Sequence, residues 1–189
     1  MTRVGGRHLT KFALGLATVT LLMGCEGGGG TLIEGRYLIQ GSGDTVLDTV
    51  TGLEWERCSR GQEWNGSICI REARTVAGFQ LRPNPHWQPP EKANPWRTPT
   101  KEELRTLVYC SNGNPARFKD SDEKCYGNHQ VPTIVEQAFP NTPSTWFWSS
   151  SPYDDGGIKK QWGVNFSNGQ LGGTYGSNAL RRVRDGEQR

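Results

Sequence analysis

Five cysteines in a chain of 189 residues set the first constraint on its fold, because their positions divide them into one and four. Cys25 closes an apolar stretch near the N-terminus, whereas Cys58, Cys69, Cys110 and Cys125 lie in the polar remainder. Separations of 11 and 15 residues suit two local loops, Cys58–Cys69 and Cys110–Cys125, formed in an oxidising compartment. Four cysteines allow three connectivities, and the local pairing is the preferred one of the three. In a chain-entropy picture each such loop contributes on the order of 3 kcal/mol. A zinc site is the rival reading; it is disfavoured because no CxxC pair occurs and the three histidines lack ligand spacing.

The segment that ends at Cys25 has the parts of an export signal. Arg3, Arg7 and Lys11 precede an apolar run from Phe12 to Met23, and Gly24 supplies a small residue at the cut. The run is too short and too interrupted by Gly and Thr for a spanning helix, which needs roughly 20 apolar residues. Leu22-Met23-Gly24-Cys25 resembles the lipobox of bacterial lipoproteins. That resemblance implies a signal peptide over residues 1–24 and acylation of Cys25, the membrane contact then being the N-terminal lipid. Glu26 after the Cys resembles outer-membrane sorting. Residues 25–34, with four consecutive glycines, read as a lipidated Cys and flexible tether, and residues 35–189 as one domain of ordinary size.

Charge is reinterpreted once the signal is set aside. The chain carries 22 basic and 19 acidic residues, and residues 1–24 hold three of the basic ones and no acid. The remainder is formally neutral, so a nucleic-acid partner, which would want a clustered basic face, is not expected.

Within the domain, Gly35–Arg57 looks like short strands separated by Gly/Asp turns, with Leu53 and Trp55 alternating against Glu54 and Glu56. Residues 60–70 form a small loop under the first disulfide. Six prolines from Gly78 through Pro99 predict an irregular excursion. Thr100-Lys-Glu-Glu103 is a capping box followed by the stripe Leu104, Leu107, Val108, which predicts a helix. Thr133-Ile-Val-Glu136 repeats the signature, and Pro140 limits it to a turn or two. Trp146–Ser150, Gln161–Phe166 and Leu180–Arg184 are strand candidates, and Asn168-Gly169 signals a hairpin turn. The sum is an α+β domain with a mostly antiparallel sheet.

Several of these segments, in order, resemble the C-terminal domain of Legionella collagen-like adhesins (Lcl). They are Asp44–Trp55, the Cys58–Cys69 loop, Trp96–Leu104, Ala138–Tyr153, Trp162–Gly169 and Leu180–Arg184. The resemblance implies a C-type-lectin-like fold: a twisted, mostly antiparallel sheet, flanking short helices and long loops. The chain departs from the family between Ala73 and Pro95, where a proline-rich stretch replaces an amphipathic helix. It also lacks the Glu-Pro-Asn, Gln-Pro-Asp and Trp-Asn-Asp triplets of calcium-bridged sugar binding.

No catalytic constellation emerges, and the expectation is a non-enzyme without cofactor or metal. His8 falls in the signal, and His86 and His129 are isolated. Ser149, Ser150 and Ser151 lack a Gly-x-Ser-x-Gly elbow. Asp154-Asp155-Gly-Gly reads as a solvated turn in preference to a calcium loop. Trp146, Trp148 and Trp162 read as core; Trp64, Trp87 and Trp96 lie in loops or at edges, where packing is preferred over ligand contact. The stretch from Tyr153 to Asn178 is dense in the Tyr, Ser, Gly and Asn that binding loops favour. Tyr153, Asp154, Lys159, Lys160, Gln161, Asn165, Ser167, Asn168, Tyr175 and Asn178 are therefore the candidate contacts for an external protein or glycan. The placement also resembles the variable proteins of diversity-generating retroelements. The expectation is an outer-membrane, cell-surface display lipoprotein; the alternatives are a structural envelope lipoprotein with a periplasmic partner and an enzyme on a lectin-like scaffold.

Overall fold

The computed structural model describes residues 30–77, 96–113, 124–156 and 158–187. The export segment, Cys25, His86, Trp87 and most of the proline-rich stretch lie outside these residues. Among the described residues no helix is long and apolar enough to cross a membrane.

Four short strands, β1 (Leu32–Ile33), β2 (Tyr37–Gln40), β3 (Thr45–Asp48) and β4 (Leu53–Glu56), form an antiparallel meander. The fifth strand of this sheet, β12 (Val183–Asp185), arrives from far along the chain and pairs with β4. The register puts Ile39, Val46, Trp55 and Val183 in one row facing the core, while Leu38, Leu47, Glu54 and Arg184 face outward. The alternation of Leu53 and Trp55 with Glu54 and Glu56 is thus a true strand period. Trp55 and Val46 are fully buried. Asp48, at the end of β3, is buried too, held by Arg36 through both carboxylate oxygens and by the Thr51 hydroxyl.

The second sheet has the order β10–β9–β8, from β8 (Trp146–Asp155), β9 (Ile158–Asn165) and β10 (Gln170–Thr174). Phe147, Val164 and Leu171 lie in one row and join Phe166, Phe139, Leu104 and Ile134 in a single core with Trp55 and Val183. Two small pairs complete the strands: β5 (Glu63–Trp64) with β6 (Cys69–Ile70), and β7 (Val76–Ala77) with β11 (Ser177–Asn178). A parallel bridge between Phe147 and Ala179 ties the second pair to β8, and Trp148 caps it, donating its indole N–H to the Val76 carbonyl. Both local disulfides are present, Cys58–Cys69 and Cys110–Cys125, with Cα separations of 5.4 and 5.5 Å.

Helix is scarcer than expected. Among the described residues it is confined to α1 (Lys101–Arg105). Its capping box is complete: the Thr100 hydroxyl accepts from Glu103 N–H, and Thr100 N–H donates to the Glu103 carboxylate. The apolar stripe outlasts the helix because Leu107 and Val108 N–H groups bond three residues back, and Tyr109 N–H then turns to the Thr133 carbonyl. Leu107 is still buried, so the stripe serves the core after the helix has ended. The second capping signature forms no helix; Ala138 and Phe139 N–H groups close a single turn on Val135 before Pro140. Flanking short helices are therefore not what holds the sheets together.

Two buried arginines do much of that joining. Arg181 is fully buried, and its guanidinium donates to the carbonyls of Glu56 and Arg57 and to the hydroxyls of Ser59 and Thr142. Burial pushes its pKa down to about 9, the Glu56 charge opposing and the Arg57 charge adding, so it remains charged at neutral pH. Arg57 donates to the carbonyls of Gly43, Gln137 and Ala138, pinning the β2–β3 turn to the segment before Pro140. The last strand begins at Val183 rather than Leu180 because Arg181 leaves the sheet to reach these acceptors.

Candidate functional site

The β8–β9 hairpin runs past the core, and its free end carries the candidate residues that cluster. Antiparallel pairing sets Tyr153 opposite Lys160 and Asp155 opposite Ile158, so Tyr153, Asp155, Lys160 and Trp162 share the face that α1 covers further down. Tyr153 meets Trp162 edge-on with ring centroids 4.7 Å apart. Lys101 from α1 sets its ammonium 4.4 Å from the Trp162 ring centroid, completing a line of contacts from helix to hairpin. The Lys160 ammonium bonds Asp155 and lies 5.7 Å from the Tyr175 ring centroid. That hydrogen bond with Asp155 raises the Lys160 pKa above its usual value. Tyr175, in the turn after β10, is 77% exposed.

Gly173 makes this arrangement sterically possible. It pairs with Trp162 on the neighbouring strand, and a Cβ there would lie 2.5 Å from two atoms of the Tyr153 ring. The tyrosine therefore lies across β10 at a position that only a glycine leaves open. The result is an aromatic surface with one ammonium, held by Asp155 and beside the Tyr175 ring, on a rigid strand pair.

The other candidates are elsewhere. Asp154 and Gln161 sit on the opposite face of the hairpin, and Lys159 pairs through its backbone with Asp154, its side chain lying outside the described residues. Asn165, Ser167 and Asn168 lie at the far end of β9, roughly 17 Å from Lys160 at about 3.3 Å per residue. They shape the β9–β10 turn: the Asn165 side chain accepts from Ser167 N–H, and the Asn168 side chain accepts from Gln170 N–H. Asn178 is buried, donating to the Thr174 hydroxyl. The ten residues thus do not form one patch. Tyr153, Lys160 and Tyr175 converge; Asp155, Trp162, Lys101 and Gly173 join them, although composition reads Asp155 as part of a solvated turn and Trp162 as core and gives Lys101 and Gly173 no site role. Strand alternation from Tyr153 was a signal that could have chosen Asp155 over Asp154.

The serine run has structural partners. Ser149 donates to the Trp162 carbonyl, Ser150 to the Pro99 carbonyl, and Ser151 accepts from Lys101 N–H, across the bulge between Trp148 and Pro152. His129 is exposed, with a ring nitrogen 2.9 Å from the Gly127 carbonyl. Among the described residues no three His, Cys, Asp or Glu side chains gather in a metal-binding group.

No curated protein and no solved structure shows a significant match to the chain. The family model of the Lcl C-terminal domain matches residues 44–184, from the β2–β3 turn through the Arg184 side of the closing strand. That span takes in both disulfides, both buried arginines and the whole of the β8–β10 hairpin, and the chain belongs to the Lcl C-terminal domain family.

Proposed function

We propose that this protein is a lipid-anchored display domain of the bacterial surface that binds an external protein or glycan and performs no catalysis. The observation that carries the reading is the convergence of Tyr153, Lys160 and Tyr175 at the free end of a hairpin, beyond the core. Tyrosines give large, rigid contact area at low entropic cost, and a nearby ammonium adds a directional donor. A scaffold closed by two disulfides presents them without needing a partner to order it. Membership in a family that resembles collagen-like adhesins supports a surface role, and an antiparallel frame whose late strand β12 returns to β4 supports a C-type-lectin-like architecture. The lipid at Cys25 and the tether would hold the domain, residues 35–189, at the outer membrane. Diversification of the β8–β11 region by a retroelement is the finer form of this reading; a neighbouring reverse transcriptase and a near-repeat of the 3′ coding end would support it.

The test displays the full chain on intact cells and applies those cells to protein and glycan arrays beside a Tyr153→Ala, Lys160→Gln, Tyr175→Ala variant. The expected outcome is loss of most array signal in the variant at equal surface amount. Unchanged signal overturns the patch. A chain that resists protease shaving of intact cells and instead copurifies with a periplasmic protein overturns surface display.

A further inference from the structure

The outward face of the five-stranded sheet is a second concavity, remote from the hairpin tip. It is an open trough of about 1640 Å³, larger than the roughly 300–1,000 Å³ of a small-molecule pocket. Across the sheet the floor passes from Leu38 and Leu47 to Glu54 and Arg184. At about 4.8 Å per strand that row spans roughly 14 Å. Glu54 points away from the core, and its side chain is only 8% exposed beneath the Arg184 guanidinium.

The charges on this floor are already paired. Arg184 bonds both oxygens of Glu54 at 2.8 Å, and Arg182 bonds both oxygens of Glu56. These bidentate contacts fix four planar groups in orientation and cancel their charge. Each carboxylate has about four acceptor sites and spends two on its arginine. Each guanidinium has five N–H donors and spends two on its glutamate. Within these two pairs, fixed acceptors and donors stand side by side with their charges cancelled, which is the chemistry of vicinal hydroxyl groups rather than of an ion; Asp44, Arg60 and Glu187 also line the concavity.

The rims carry indoles. Trp64 lines one side and Trp96 another, both half-buried, and each is backed by an arginine: Arg57 lies 4.3 Å from the Trp64 centroid and Arg184 lies 4.6 Å from that of Trp96. Trp64 is further locked by donating to the Ser42 carbonyl. Rings held in this way offer flat apolar faces to the C–H side of a sugar, while the floor meets its hydroxyls.

We propose that this concavity is a binding site for a neutral, extended polysaccharide, distinct from the hairpin-tip surface. The test is native affinity electrophoresis of the detergent-solubilised full chain through gels containing dextran, laminarin or galactomannan, with heparin as the acidic probe. At least one neutral polymer should retard the protein. Trp64→Ala and Trp96→Ala should each weaken retardation roughly tenfold. Glu56→Gln with Arg182→Gln, which removes little bulk, should also weaken it, while the triple tip variant should migrate as the parent does. Circular dichroism and thermal unfolding establish that each variant is folded. The proposal is overturned if no neutral polymer retards the protein, if heparin alone does, if folded groove variants migrate unchanged, or if only the tip variant loses retardation.

Discussion

The two sheets bury apolar rows by the same strand alternation, but they treat their polar residues differently. In the five-stranded sheet the outward charges of β4 meet those of β12 and the residue before it across the ladder, so Glu54 and Glu56 are oriented and neutralised by Arg184 and Arg182. In the three-stranded sheet the core-side face runs on past α1 to the hairpin tip, where Lys160 bonds Asp155 two rungs along and lies beside the Tyr175 ring. The first sheet converts surface charge into internal order. The second leaves contact groups standing on a scaffold whose order comes from elsewhere, chiefly Trp162, Gly173 and the core row of Phe147 and Val164. One sheet thus holds its polar groups in bidentate pairs, and the other carries them at the end of a hairpin.

The contrast can be broken most severely at Arg181. Its replacement by Ala removes a fully buried group and strands the carbonyls of Glu56 and Arg57 and the hydroxyl of Thr142. An expected loss of about 3–5 kcal/mol in chemical denaturation would follow; a loss below 1 kcal/mol would show that the arginine is not the joint between the sheets. Asp48 is the next lever. Burial raises its carboxyl pKa, but the hydrogen bonds from Arg36 and Thr51, the Arg36 charge and the Val50 N–H outweigh it and leave the pKa below its usual value. Hydrogen bonds from Arg97, partly opposed by burial, similarly lower the pKa of Glu103. A carboxyl depressed in the fold contributes stability that is full above its unfolded pKa, about 4, and is lost as pH falls through the folded value. Asp48→Asn should therefore cost about 1–3 kcal/mol at pH 7 and flatten the decline in stability below pH 4. A pH series of urea melts checks both the size and the slope. The smallest effect belongs to the tip. Gly173→Ala places a methyl against the Tyr153 ring and should cost about 1–2 kcal/mol, while quenching of Trp162 fluorescence changes as the edge-on contact opens. An unaltered emission spectrum would mean that Tyr153 is not held by that contact.

Local patterns were legible in the sequence, and long-range ones were not. The Thr100–Glu103 box, the Leu53–Glu56 alternation and the two short cysteine loops depend on residues near one another in the chain, and all three stand in the structure. Leu180–Arg184 shows why the remainder was hidden. Three arginines there look equivalent, and which one turns inward is decided by acceptors on Glu56, Arg57, Ser59 and Thr142. The same holds at the site. Tyr153, Lys160 and Tyr175 were visible as residue types suited to binding, but Asn165 and Asn168 have the same composition and serve the turn. Gly173 carries no chemistry of its own, so its role appears only when Tyr153 is seen lying over it.

The late arrival of β12 carries a consequence for biogenesis. Strands β2 to β4 come from residues 37–56, yet the row they form is completed by Val183, and Arg181 fills the joint beside it. The sheet therefore has no finished edge until the chain through residue 185 is available to pair. Up to that moment the meander lacks its closing partner and the acceptors of Glu56 and Arg57 lack their donor. A polypeptide arranged in this order joins its two sheets only when nearly all of the domain is present to fold.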